Sequence, residues 1–128
     1  MRVLLDTHAL LWWLDGDPKL STRARRVIAD ESNVVLVSAA SAWEISTKFR
    51  IGKLPGAAEV AADVGGSIAR QRFQSIDISV LHAQRAGGLP GPHRDPFDRM
   101  IAAQAQIEDV PVITNDPMFG DYNVTRIW

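Results

Sequence analysis

The sequence predicts an α/β protein, a three-layer α/β/α sandwich around a mostly parallel central sheet, built as one domain over residues 1–128. Two observations predict it. Short apolar runs that suit buried strands recur along the chain, and helix-forming stretches with their own start and stop signals separate them. Connections between parallel strands are right-handed, and such sheets bind ligands in the crevice at the carboxyl ends of their strands.

Taken in order, "RVLLD" at residues 2–6 is an apolar run ending on an acid, which suits a buried strand. "HALLWWL" reads as one or two helical turns, stopped by the turn signal "DGDP". Ser21 caps a helix reaching to about Asp30, and the Val-rich "NVVLVS" at 33–38 is a second buried strand. "SAASAWEISTKFRIGKLPG" forms a helix of about thirteen residues, ending near Gly52 with Lys53 and Pro55 as stop signals. Residues 57–71 are helix-forming, with a break expected at Gly65 and Gly66. "FQSIDIS" is a strand, and Ser79 caps a helix to about Gly87. "GGLPGPH" is a loop by composition, residues 96–109 a helix, and "VPVIT" at 110–114 a strand. "DPMF" is a capped turn and "NVTRIW" the last strand.

With 128 residues at 46% apolar content, the chain can bury one sizeable core and hardly two. Lys and Arg number 14 against 15 Asp and Glu, which argues against gripping nucleic acid by bulk charge but leaves room for a local basic rim beside an acidic pocket. No cysteine is present, so disulfides and thiolate metal sites are excluded, as suits a reducing cytoplasm. The apolar start "VLLDTHALLWWL" is broken by Asp6 and His8, is too short to span a bilayer and lacks the marks of a signal peptide. A soluble, cytoplasmic protein is expected.

Five acids carry the functional argument, and each has an ordinary use. Asp6 ends the first strand and can cap the helix that follows. Glu44 completes a capping box with Ser41, or pairs with Lys48 at i,i+4. Asp95 caps a helix opened by Pro96, and Asp98 can complete the same cap as an acid in the first turn. Asp116 precedes Pro117 and can cap a short helix. One acid suffices for a cap, so the second in "DPFD" needs another reason. If the chain folds as read, all five acids point into one crevice. Packed carboxylates repel, more so in a low-dielectric cleft, and no lysine or arginine stands at a strand end to compensate. Oxygen-only ligands then suit a hard cation, Mg²⁺ or Mn²⁺.

These residues resemble a known family. "LLDTHALLWWL", "SAWEISTKFRIGKL", "HRDPFDRMIAAQA" and "VITNDPMF" occur in the order found in PIN-domain ribonucleases, and are most similar to the VapC-type toxins of bacterial toxin–antitoxin pairs. The resemblance implies that Asp6, Glu44, Asp98 and Asp116 are a metal-holding quartet, with Asp6 and Asp98 the most direct ligands. Asp95 is then an extra ligand, a water-mediated one or only the cap. It also implies Mg²⁺-dependent (or Mn²⁺-dependent) endonucleolytic hydrolysis of RNA by metal-activated water, with Glu44 or Asp116 holding or deprotonating that water. A homodimer and a VapB-type antitoxin covering the acidic groove belong to the same expectation.

Around the acids, Thr7 and Asn115 are candidates to hydrogen-bond phosphate or metal-bound water, Thr7 equally to cap a helix, and Lys48, Arg50, Lys53, Arg94 and Arg99 to bind RNA phosphates or to remain solvated surface charges. His8 is expected to be a hydrogen-bonded structural histidine rather than a ligand. Trp12, Trp13, Trp43 and Phe49 are expected to be packed core or interface residues, with Trp12 or Trp13 at a dimer contact. A receiver-type phospho-acceptor would need an acidic pair after the first strand and a lysine after the last, and a haloacid-dehalogenase-type phosphatase would need Asp-x-Asp where this chain has Asp6-Thr7-His8. The rival of a different class is a catalytically silent PIN-like binding module. Its mark would be loss of quartet acids, and all are retained.

Overall fold

A computed structural model describes all of residues 1–128. The elements run β1 (Arg2–Leu5), α1 (Thr7–Asp15), α2 (Thr22–Ala29), β2 (Val34–Ser38), α3 (Ala39–Arg50), a 3-10 turn (Pro55–Ala57), α4 (Ala58–Ala62), α5 (Val64–Arg70) and β3 (Gln74–Ile76). They continue with α6 (Val80–Gly88), α7 (Pro96–Glu108), β4 (Val112–Ile113), a second 3-10 turn (Pro117–Tyr122) and β5 (Arg126–Ile127). The five strands form one sheet in the order β3-β2-β1-β4-β5, and all four pairings are parallel.

Period-2 alternation of side chains makes the three layers. In β1, Val3 and Leu5 pack with α1, α2 and α5 on one face, while Leu4 points to the other face with α6 and α7. β2 divides in the same way, Val35 and Val37 to the first face and Leu36 to the second. Strands buried on both faces must be apolar throughout, which is why "RVLL" and "VVLVS" read as continuous runs.

The order of strands locates the crevice. From β1 the chain first builds outward through β2 and β3, then returns to the other side of β1 for β4 and β5. The gap above the carboxyl ends of β1 and β4 is therefore the topological switch point, where connections diverge and leave an opening.

Two expectations about local structure are corrected, and one aromatic lies outside the core. α3 is capped by Ser38, whose hydroxyl accepts from the Ala40 amide at 3.0 Å, so no capping box forms between Ser41 and Glu44. The helix starts directly as β2 ends, which puts Ser41 inside it. The break in residues 57–71 falls at Asp63 rather than at Gly65 and Gly66. Asp63 caps α5 through the Gly66 amide at 2.9 Å, and a Cβ on Gly66 would meet the Asp63 carboxylate at 2.1 Å, so that glycine serves the cap instead of breaking the helix. Trp43 is not in the core: it is 57% exposed and sets its ring edge-on to Phe97, with centroids 4.7 Å apart. The exposed Phe49 lies on the same helix, whereas Trp12 and Trp13 do pack against the core.

Candidate metal centre at the switch point

Three of the five acids are helix caps, as their positions in the sequence suggest. Asp6 Oδ1 accepts from the Ala9 amide at 2.7 Å, Asp95 Oδ1 from Phe97 at 2.9 Å and Asp98 at 3.2 Å, and Asp116 Oδ1 from Met118 at 3.0 Å. Capping does not exhaust them. Asp6, Glu44, Asp95, Asp98 and Asp116 all line one open cleft of 410 Å³, together with Lys48, Asn115, His8 and Trp12. The cap geometry explains how: each capping acid stands where a chain enters a helix, and those entries lie at the carboxyl edge of the sheet. Asp98 has no capping role, because Asp95 already takes that turn.

The electrostatics follow from the crowding. Burial, then the neighbouring charges of Asp95, Glu44, Asp6 and Asp116, push the Asp98 carboxyl up to about 7. Burial also raises Asp6, against the Thr114 hydroxyl and the Ala9 amide, which favour its ionised form. Glu44 is 2% exposed; one oxygen, Oε2, pairs with the Lys48 ammonium, and the other, Oε1, has no hydrogen-bond partner. The Lys48 ammonium suffers from burial, but Glu44, Asp95 and Asp98 outweigh that and hold it above the ordinary lysine value.

No basic residue stands at a strand end, and the compensating charge comes instead through the expected i,i+4 pair. Lys48 supplies that charge from α3, one turn along from Glu44. The donor set fits a hard divalent cation by chemistry: carboxylates without thiolate, an orphaned buried oxygen on Glu44 and an Asp98 that burial and then the neighbouring acids push up to about 7. The positions are not closed around a cation, for no three of the chain's His, Asp or Glu side chains stand together in a metal-holding arrangement.

Several rim candidates do not face the cleft, for reasons of direction. Thr7 is buried and donates its hydroxyl to Ser41 Oγ at 2.9 Å, tying α1 to α3 instead of facing the cleft. Arg99 follows Asp98 in sequence, yet consecutive helical residues diverge by about 100°. Its guanidinium turns away and donates to the carbonyls of Ala86 (3.2 Å), His93 (2.9 Å) and Leu89, clamping the loop before α7. Arg99→Met should therefore cost about 2–4 kcal/mol in urea unfolding and leave RNA affinity unchanged; weaker RNA binding with unchanged stability would return Arg99 to the rim. Arg94, Arg50 and Lys53 are exposed and do not line the cleft, whereas Asn115 and Lys48 do. His8 is exposed on the cleft wall, its ring 5.6 Å from Trp12, and is not a buried structural histidine.

Sequence reasoning missed Thr114. Its hydroxyl oxygen accepts from the Asp116 amide at 3.0 Å and its side chain favours the ionised form of Asp6, so it acts on two acids that lie far apart in the chain. The available signal was its place as the buried last residue of "VPVIT", two before Asp116.

Comparison with known proteins identifies the family and the fold. Ribonuclease VapC16 of Mycobacterium tuberculosis is 35% identical over 79 residues, 57% of this chain, and the match spans 56% of that protein, about half its length. Among solved structures, VapBC2 from Rickettsia felis, bound to a DNA fragment from its promoter, superposes with a TM-score of 0.71 at 20% identity, covering 98% of this chain and 97% of that one. VapC20 of M. tuberculosis, a Sarcin-Ricin loop cleaving toxin, gives a TM-score of 0.68 at 17% identity and 96% coverage of both chains. At these identities the two structures speak for the fold. The PIN domain family model matches residues 3–124, nearly the entire chain, and with the parallel sheet and the acids at its switch point this establishes that the protein belongs to the PIN domain family.

Proposed function

We propose that the protein is a divalent-metal-dependent endoribonuclease, the VapC-type toxin of a toxin–antitoxin pair. The observation that carries this reading is the convergence of five acids from four separate segments on one cleft. Retention of all of them speaks against a silent binding module.

Asp6 and Asp98 would hold a Mg²⁺ or Mn²⁺ ion, with Glu44 and Asp116 completing the set and Asp95 beside them. When bound, the ion supplies Lewis-acid activation of water and neutralises charge on the phosphodiester. Glu44 and Asp116 orient the attacking water, and a carboxylate oxygen of one of them takes its proton. Asn115 and Lys48 face the entering phosphate with an amide and an ammonium, and the exposed Arg94 adds a positive charge beside α7. A neutral chain overall is compatible with this, because the contacts are local.

The partners belong to the same reading: an RNA substrate, a second copy of the chain and a VapB-type antitoxin that covers the cleft, all in the cytoplasm. The R. felis neighbour is a VapBC assembly, and VapC16 carries the name ribonuclease, which supports both parts. No helix is long and apolar enough to cross a membrane.

The test is incubation of purified protein with total RNA, with cleavage ends mapped. Discrete cuts should appear with Mg²⁺ or Mn²⁺ and vanish with chelator. Cuts that persist in chelator would remove the metal dependence, and intact RNA under every metal condition would remove the nuclease assignment.

A further inference from the structure

Lys48 belongs to the acidic cleft by position, yet its present bond is to an acid that the proposed mechanism needs. It is the only lysine or arginine lining the cleft, facing five carboxylates. Its side chain is 27% exposed, its ammonium pairs with Glu44 Oε2, and the Phe97 ring lies 6.0 Å away. Glu44 is almost fully buried, so its charge needs a partner in place whenever no cation is near. Only one of its oxygens has a partner. Oε1 is unsatisfied and buried, which marks Glu44 as half-provided for.

The remaining arrangement agrees. Asp6, Asp95 and Asp116 each keep one oxygen on a backbone amide, so their carboxylates are fixed by the fold. Glu44 is held instead by a side chain with four rotatable bonds whose ammonium reaches the edge of the cleft.

We propose that Lys48 is a resident counter-cation that occupies Glu44 in the cation-free protein, is displaced when a divalent cation is captured, and thereby sets the cation affinity of the cleft. This rests on the metal-dependent reading given above. Lys48 is a positioning residue in this role, since it acts through Glu44. Displacement does more than vacate a carboxylate. The released ammonium stays at the mouth of the cleft, where its next partner is an anionic phosphate, so cation capture and phosphate binding favour each other.

The test measures Mn²⁺ binding calorimetrically at neutral pH and low salt, without RNA. Lys48→Met should bind Mn²⁺ about tenfold more tightly than the parent, and Lys48→Arg should stay near the parent value. In chelator, Lys48→Met should melt at a lower temperature than the parent and regain the difference with Mn²⁺. Lys48→Gln is expected to shift affinity in the same direction and serves if the Met variant folds poorly. In a Glu44→Gln background, Lys48→Met should change Mn²⁺ affinity by less than about twofold, because the bond it relieves is gone. Equal or weaker binding by both Lys48→Met and Lys48→Gln overturns the proposal while leaving the metal reading intact. An undiminished tightening in the Glu44→Gln background overturns it too, by showing a general field effect. Absence of Mn²⁺ binding by the parent and every variant defeats both readings together.

Discussion

Asp98→Asn should reduce RNA cleavage by about a thousandfold or more while making the chelated protein more stable above neutral pH. The activity loss follows from removing a charged donor from the cleft, since the several kcal/mol that an ion supplies to a phosphodiester transition state correspond to that factor. The stability gain comes from the same crowding that makes the site. Asp98 titrates at about 7 in the folded chain against 3.8 as a free carboxyl. Between those values the folded protein retains a proton that the unfolded chain has lost, so stability falls as pH rises. The penalty is absent below about pH 4 and complete above about pH 7. Its ceiling is about 4 kcal/mol, and about 2 kcal/mol is expected because Asp98 is only half-buried and solvent screens it. Melting curves from pH 4 to 8 in chelator should therefore slope downward for the parent and flatten for Asp98→Asn. A variant that melts well below the parent at pH 8 would mean that Asp98 serves the helix rather than a cation.

Phe119→Ala should be the most damaging single change in the core. Phe119 is 0% exposed and is the largest fully buried side chain, packed among residues of β1, β4, α6 and α7. Its truncation should cost about 3–5 kcal/mol, through lost burial and the cavity left behind. That is a large share of the roughly 5–15 kcal/mol that stabilises a domain. Its position couples stability to chemistry. Phe119 lies in the 3-10 turn capped by Asp116, and its carbonyl accepts from the Val124 amide at 3.2 Å. Loosening that turn releases Asp116 along with the core. Urea unfolding should show a midpoint lowered in proportion, with cleavage by the folded fraction also reduced. A loss under 1 kcal/mol would show that α7 and β4 close over the gap.

What the sequence discloses and what it hides divide along physical lines. β1 and β2 are legible because a strand buried on both faces must be apolar at every position. β4 and β5 are only two residues each, and their flanking extended residues make "VPVIT" and "NVTRIW" look longer than the paired segments. Four of the acids were legible because each ends a strand or stands in the first turn of a helix, and chain direction brings such places to one sheet edge, whereas Glu44 lies in the second turn of α3. Side-chain heading was not. Arg99 and Thr7 sit next to acids in sequence, yet helical rotation turns Arg99 away from Asp98, and Thr7, the first residue of α1, is buried against Ser41. The Glu44–Lys48 pairing could be read from its i,i+4 spacing, but its placement inside the cleft depends on how α3 is rolled against the sheet. That rotation is set by tertiary packing, in which Ile45 is fully buried and Trp43 faces out.

The most direct test is an anomalous-difference map from crystals of the protein grown or soaked with Mn²⁺. A peak bounded by the carboxylates of Asp6 and Asp98, lost in Asp98→Asn crystals, is the predicted result. A cleft without any peak at saturating Mn²⁺, or a peak unaffected by Asp98→Asn, would contradict the account.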